Sequence, residues 1–226
     1  MKESYNLLQN LVDSWENIVD KDSLFQALNR ISIILNAGIK ITPEPSEVFN
    51  SFRFCHFDRL KVIILGQDPY PQEGIATGIA FANKRGSWET SPSLNVIRKS
   101  VEPDDLPMSE WDPSLLNWCE QGVLLLNSAL TTEINKIGVH YDIWRPFIKS
   151  LVIKVSTIKP DTIFVLLGEQ AKTFAPFIYS KNIITGVHPA ALIRNGRDSY
   201  PVNNNPFRQI NDKLTELGKS EIIWFN

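Results

Sequence analysis

Three runs of four or more consecutive apolar residues, with a shorter fourth stretch built on Ile183–Ile184, constrain this chain more than any other feature of its sequence. Val62–Leu65, Val123–Leu126, Thr162–Leu167 and Asn182–Thr185 are each closed by glycine or asparagine. A strand that is apolar on both faces has to be covered on both, and such strands belong to parallel sheets. Helical spacing fills the intervals: Ser93–Val101, Trp111–Glu120 with Pro113 in its first turn, Ile143–Lys159, Glu169–Phe177, and finally Pro206–Leu217. Alternating strands and helices predict an α/β fold, a single-domain three-layer α/β/α sandwich around a central four-stranded parallel sheet.

The domain is expected to take in the whole of residues 1–226, with residues 1–48 as a helical N-terminal part. There Leu7, Leu8, Leu11, Val12 and Trp15, then Leu24, Phe25, Leu28, Ile31 and Ile34, recur at helical spacing. Two helices are predicted, broken near Asp20–Ser23, with Asp22 or Ser23 as the cap. Ile41–Ser46 reads as a loop and Glu47–Phe54 as a short helix leading to the first strand.

Composition excludes more than it assigns. No apolar run approaches the ~20 residues needed to span a membrane. Met1–Tyr5 lacks the layout of a secretory signal, so the expected location is intracellular: cytoplasmic, or nuclear in a eukaryotic host. The two cysteines, Cys55 and Cys119, are too few for a four-cysteine cluster and read as reduced core thiols. His56 beside Cys55 has no second pair at metal-ligand spacing, so no metal site is predicted. A net charge of −2 gives none of the basic excess that grips nucleic acid non-specifically. Any surface that holds DNA must therefore be local, made of backbone amides, hydroxyls and a few cations.

Strands of a parallel sheet end on one edge, and open α/β sheets bind ligands there. Asp68, Asn127 and His188 each follow a buried run, about 60 residues apart, so the fold gathers them at one crevice. Tyr70 and Phe81 lie in the loop between the first two. An amide offers a donor and an acceptor side by side, matching the edge of a heterocyclic base, and an aromatic ring offers a stacking surface. A carboxylate stabilises positive charge or orients water, and an imidazole donates to an oxygen gaining negative charge. Cleaving a base from its sugar fits this inventory, since the sugar becomes cation-like while the base departs as an anion. No phosphate-cradling loop or dinucleotide fingerprint is present.

At these residues the chain resembles the family 1 uracil-DNA glycosylases. Gly66–Gln67–Asp68–Pro69–Tyr70 is similar to their water-activating motif. The likeness continues through Gly78–Phe81, Ser91–Leu94, Gly122–Thr131 and His188–Pro189 with Leu192, from about Phe49 to Trp224. It implies a base-excision repair hydrolase that cuts the N-glycosidic bond of deoxyuridine, releases uracil and leaves an abasic site, without cofactor or metal. It also implies roles. Asp68 activates water, His188 bonds the uracil oxygen that becomes negative, Asn127 reads the polar edge and Phe81 stacks. Gln67 adds pocket contacts, and Tyr70 blocks a thymine methyl. Because a base within a duplex is out of reach, the target must flip out. The resemblance makes Leu192 the wedge that fills the gap and puts Pro71, Ser91, Pro92, Ser93 and Ala190 at the phosphates, beside Arg194. It implies a monomer whose partner is uracil-containing DNA, single- or double-stranded, with a protein inhibitor or a replication partner as further ligands.

Two departures carry expectations. Pro71 stands where the family usually has histidine, and Ala190–Ala191 replace the usual Ser-Pro after His188–Pro189. Ala190 cannot offer a hydroxyl to a phosphate, so a larger Michaelis constant on uracil-containing duplex is expected. Of Lys172, Arg194, Arg197 and Arg208, only Arg194 and Arg197 are read as DNA-facing. His140 reads as a loop histidine, and Trp111, Trp118 and Trp144 as core or anchoring aromatics. The competing readings are a glycosylase of the same superfamily for another modified base, and a non-catalytic module tethering DNA or a replication partner.

Overall fold

Val62, Ile63, Ile64 and Leu65 are each at most 1 % exposed, so both faces of their strand are covered, as the uninterrupted apolar run requires. The computed structural model describes residues 13–84, 91–101 and 111–225. Its strands are β1 (Ile41–Thr42), β2 (Val62–Gly66), β3 (Val123–Asn127), β4 (Thr132–Glu133), β5 (Ile163–Leu167) and β6 (Ile183–Gly186). The four longer ones form an all-parallel sheet in the order β3-β2-β5-β6. Gly66 pairs in register with Asn127, and Leu167 with Gly186, so the carboxyl ends are level.

Helices α1 (Lys21–Asn36), α2 (Asn50–Phe54), α3 (Pro92–Val101), α4 (Leu116–Glu120), α5 (Tyr141–Ile158), α6 (Glu169–Lys172), α7 (Pro189–Arg194) and α8 (Pro206–Glu216) surround the sheet. The core is rich in aromatic rings. Trp118 meets Trp224 edge-on at 4.7 Å and donates its indole N–H to the Trp224 carbonyl at 2.9 Å. Trp144 is fully buried, and Trp111 packs on Trp118. Trp15 donates to the Cys55 carbonyl at 2.7 Å, tying the N-terminal part to the body. Cys55 and Cys119 are unpaired and buried, and burial pushes the Cys55 thiol up to about 12, where it is unreactive. No described helix is long and apolar enough to cross a membrane.

Several boundaries differ from those the sequence predicts. The first expected helix, carrying Leu7 to Trp15, lies outside the described residues up to Val12, and its described end is only a 3₁₀ turn at Asp13–Trp15. Asp20, rather than Asp22 or Ser23, caps α1, because its carboxylate reaches the Ser23 amide at 3.1 Å. The Trp111–Glu120 helix shrinks to α4: Asp112 accepts from the Ser114 amide at 3.0 Å, and Leu115 adopts a left-handed φ of 54°, which no helix tolerates. The predicted Glu47–Phe54 helix divides into a 3₁₀ turn at Pro45–Glu47 and α2, and Glu169–Phe177 into α6 and a turn at Ala175–Phe177. Part of the Ile41–Ser46 loop is strand β1, paired antiparallel with β4, a match of two residues too short to leave a pattern. Helix α7 was not expected at all.

Candidate active site

Gly66 closes β2 directly opposite Asn127, which closes β3. A Cβ at Gly66 would stand 2.8 Å from Asn127 Oδ1 and 2.8 Å from the tip of the Phe81 ring. A side chain there would push both out of place, so the absence of one lets amide and ring close over the strand end. The Gly66 carbonyl receives the Ser128 amide at 3.1 Å and its hydroxyl at 2.7 Å, fixing the turn after Asn127.

Asp68 follows in the turn stiffened by Pro69 and Pro71. Its Oδ2 accepts two hydrogen bonds, from the Gly138 amide at 3.0 Å and the Tyr141 hydroxyl at 2.7 Å. Its Oδ1 is buried and has no partner among the described residues. Burial raises the carboxyl above its ordinary range, and the two donors pull against that rise. Gln67, expected to add pocket contacts, is not among the residues that line the cavity; it lies beside Tyr141.

Phe81 has a φ of 70°, a conformation that bulky residues seldom adopt. The Tyr70 hydroxyl donates to the Phe81 carbonyl at 2.9 Å, and the Ala80 amide bonds Leu125 of β3 at 3.1 Å. These contacts hold the ring 5.7 Å from the His188 imidazole, tilted by 41°. Ser91 was expected at a phosphate, but its hydroxyl is engaged with the Tyr70 hydroxyl and with Asn83 Oδ1. The physical reason is burial: Tyr70 is enclosed, and its oxygen needs a partner. Ser93 is also turned inward, at 8 % exposure, while Pro92 is exposed at the start of α3. The Pro71 carbonyl accepts the Asn135 amide at 2.8 Å.

His188 caps α7, its Nδ1 accepting from the Ala190 amide at 3.2 Å. With Nδ1 an acceptor, a neutral ring carries its proton on Nε2. Burial, with the nearby Arg194 guanidinium second, lowers the ring to about 4, so it is neutral at pH 7. Arg194 itself is exposed.

Helix α7 also corrects an expectation. Leu192 is 3 % exposed and belongs to the core, whereas Ile193 is 39 % exposed. In an extended loop Leu192 would project; in a helix opened by Pro189 it turns toward α3, and its carbonyl caps the helix with the Asn195 and Arg197 amides at 3.0 and 2.9 Å. As placed here it is not a wedge.

Asp68, Tyr70, Phe81, Ser93, Asn127 and His188 all line one small cavity, of about 40 Å³, that opens to solvent. Among the described residues no group of three or more histidines, cysteines or acids could hold a metal ion. His140 is buried and bonded through Nδ1 to Thr131 Oγ1 at 2.9 Å, a structural role. Lys172 is paired with Glu169 at 2.7 Å. Gly138 and Tyr141 escaped the sequence reading: their one signal was the break from a glycine-containing loop into a helical pattern, which says nothing of a carboxylate seventy residues earlier.

An α/β sheet with an acid, an amide and an imidazole at its carboxyl edge, roofed by an aromatic ring, defines a site for a flat heterocycle. Residues 52–215 match the profile of the Uracil DNA glycosylase superfamily. The chain is 35 % identical over 193 residues to a Uracil-DNA glycosylase of Campylobacter jejuni subsp. jejuni, covering 84 % of this chain and 81 % of that one. It is similar to the crystal structure of mimivirus uracil-DNA glycosylase (27 % identity, TM-score 0.83, 99 % of this chain and 90 % of that one). It is equally similar to a mimivirus UNG variant in complex with UGI (27 % identity, TM-score 0.84, 99 % and 92 %). The protein belongs to the uracil-DNA glycosylase superfamily.

Proposed function

We propose that this chain hydrolyses the N-glycosidic bond joining uracil to deoxyribose in DNA, as a base-excision repair enzyme. The observation that carries the reading is the convergence of Asp68, Asn127 and His188, from three separate strand ends, on the one cavity roofed by Phe81. In this reading Phe81 stacks on the flipped base and the Asn127 amide pairs with its polar edge. Tyr70, fixed through Phe81 and Ser91, fills the space a thymine methyl would need. The bond from C1′ to N1 breaks with its electron pair leaving on the base. Neutral His188 donates from Nε2 to the oxygen where that charge collects. Asp68 favours the cationic sugar, and its unpartnered Oδ1 orients the water whose oxygen adds to C1′ and takes up the proton that this water loses.

DNA contact would rest on backbone groups, Pro92 and the exposed Arg194, with Ile193 as the outward apolar side chain of α7. UGI is a protein ligand to test, and a monomer is the expected state. The test is incubation, in EDTA, with single-stranded oligonucleotides carrying uracil, thymine or another modified base, followed by alkali. Scission at uracil alone is expected. Scission at a different base only, or binding without scission, would refute the reading. Asp68→Asn should lose about 10²–10⁴-fold in kcat while melting like the wild type.

A further inference from the structure

We propose that Tyr141 is a positioning residue for Asp68, holding the carboxylate so that Oδ1 alone faces the reacting atoms. The inference rests on the function proposed above and deepens it.

The segment after β3 wraps around the turn that carries Asp68. Strand β4 is held by β1, and Thr42 of β1 donates through Oγ1 to the Tyr70 carbonyl at 3.2 Å. Asn135, at a left-handed φ of 59°, gives its amide to the Pro71 carbonyl at 2.8 Å. Gly138, at φ 77°, then points its amide at Asp68 Oδ2, and Tyr141 at the start of α5 brings its hydroxyl to the same oxygen. A Cβ on Gly138 would lie 3.1 Å from the Tyr141 ring, closer than ordinary contact, and its left-handed φ favours glycine as well. The phenolic proton of Tyr141 is the one given to Asp68, since an ionised carboxylate only accepts.

Two donors on one oxygen and none on the other is an uneven arrangement for a buried carboxylate. An unconstrained carboxylate could rotate about its Cβ–Cγ bond and exchange its oxygens. Here rotation would break a bond of 2.7 Å and one of 3.0 Å together. Tyr141 thereby assigns the oxygens: Oδ2 is structural and Oδ1 is left for water and the cationic sugar. The hydroxyl also opposes the upward push of burial, keeping Asp68 ionised to lower pH. The other titratable groups facing Asp68 do not add charge. Tyr70 and Tyr141 are raised by burial, His188 across the cavity is neutral, and Lys136 and Lys40 are paired with Glu133 and Glu73.

The test is Tyr141→Phe, which keeps the ring and removes only the hydroxyl. On a uracil-containing oligonucleotide kcat should fall about 10- to 100-fold with KM unchanged, the size expected for one hydrogen bond to a charged group. The acidic limb of the kcat–pH profile should move to higher pH, because the carboxylate has lost a donor. Tyr141→His, which restores a donor, should recover part of both. In an Asp68→Asn background Tyr141→Phe should do little more harm. A kcat and acidic limb both unchanged would overturn the proposal. So would a fall in kcat without that shift, or an equal fall in the Asp68→Asn background, since the loss would then bypass the carboxylate. If Tyr141→Phe melts below the assay temperature, Tyr141→His decides alone: an acidic limb near the wild-type position supports the proposal, and one displaced upward overturns it. Wild-type protein that releases no uracil would instead refute the proposed function.

Discussion

Gly66 shows how much one missing side chain can decide. Its φ lies outside the left-handed region, so alanine would be free of backbone strain there and the conflict is purely steric. Gly66→Ala should therefore displace Asn127 and Phe81 together, the two groups read as recognising the base. Overpacking of this kind costs about 1–3 kcal/mol. A modest drop in melting temperature should accompany a loss of kcat/KM of at least roughly 100-fold, if each recognition contact is worth about what a buried hydrogen bond or stacked ring is worth. Activity near wild type would mean that the ring and amide can move aside without consequence. Single residues also set the protonation states: the Ala190 amide on Nδ1 fixes the His188 tautomer, and burial keeps the ring neutral.

At the scale of the element, α7 governs how the chain meets DNA. Good helix formers after a proline, Ala190–Ala191–Leu192–Ile193–Arg194, make a helix the natural outcome. That helix turns Leu192 inward and leaves Ile193 and Arg194 outside. It also puts Ala190 at the second helical position, its amide already engaged by His188. Ala190→Ser would add a hydroxyl without disturbing that bond. KM on uracil-containing duplex should fall severalfold while kcat holds, roughly the effect of one more hydrogen bond to a phosphate. An unchanged KM would show that position 190 does not approach the backbone. The β1–β4 pair, only two residues long in each strand, matters for the same kind of reason: it braces the segment that reaches Asp68.

At the scale of the whole molecule, the buried site makes stability depend on pH. His188 is lowered from 6.5 to about 4 in the folded chain. Between those values the unfolded chain binds a proton that the folded chain does not, so stability falls as pH drops from 6.5 toward 4. The full effect is about 3 kcal/mol at 1.36 kcal/mol per unit, less whatever solvent screens at a partly exposed ring. Asp68, raised by burial, acts in the opposite sense: it takes up its proton more readily folded than unfolded. Denaturant melts of wild type and His188→Gln at pH 7 and pH 4.5 should show a smaller acid loss in the variant. Equal losses would place the acid sensitivity elsewhere.

The local sequence determined the strands, because an uninterrupted apolar run has one stable place, a sheet covered on both faces. The level ends of those strands followed, and with them the meeting of Asp68, Asn127 and His188. What only the tertiary structure decided were contacts between segments that no periodicity links: the two donors on Asp68 Oδ2, the inward turns of Ser91 and Ser93, and the burial of Leu192. Such contacts depend on where loops fall in space. A loop's path is set by partners dozens of residues away, whereas a strand's burial is written in its own few side chains.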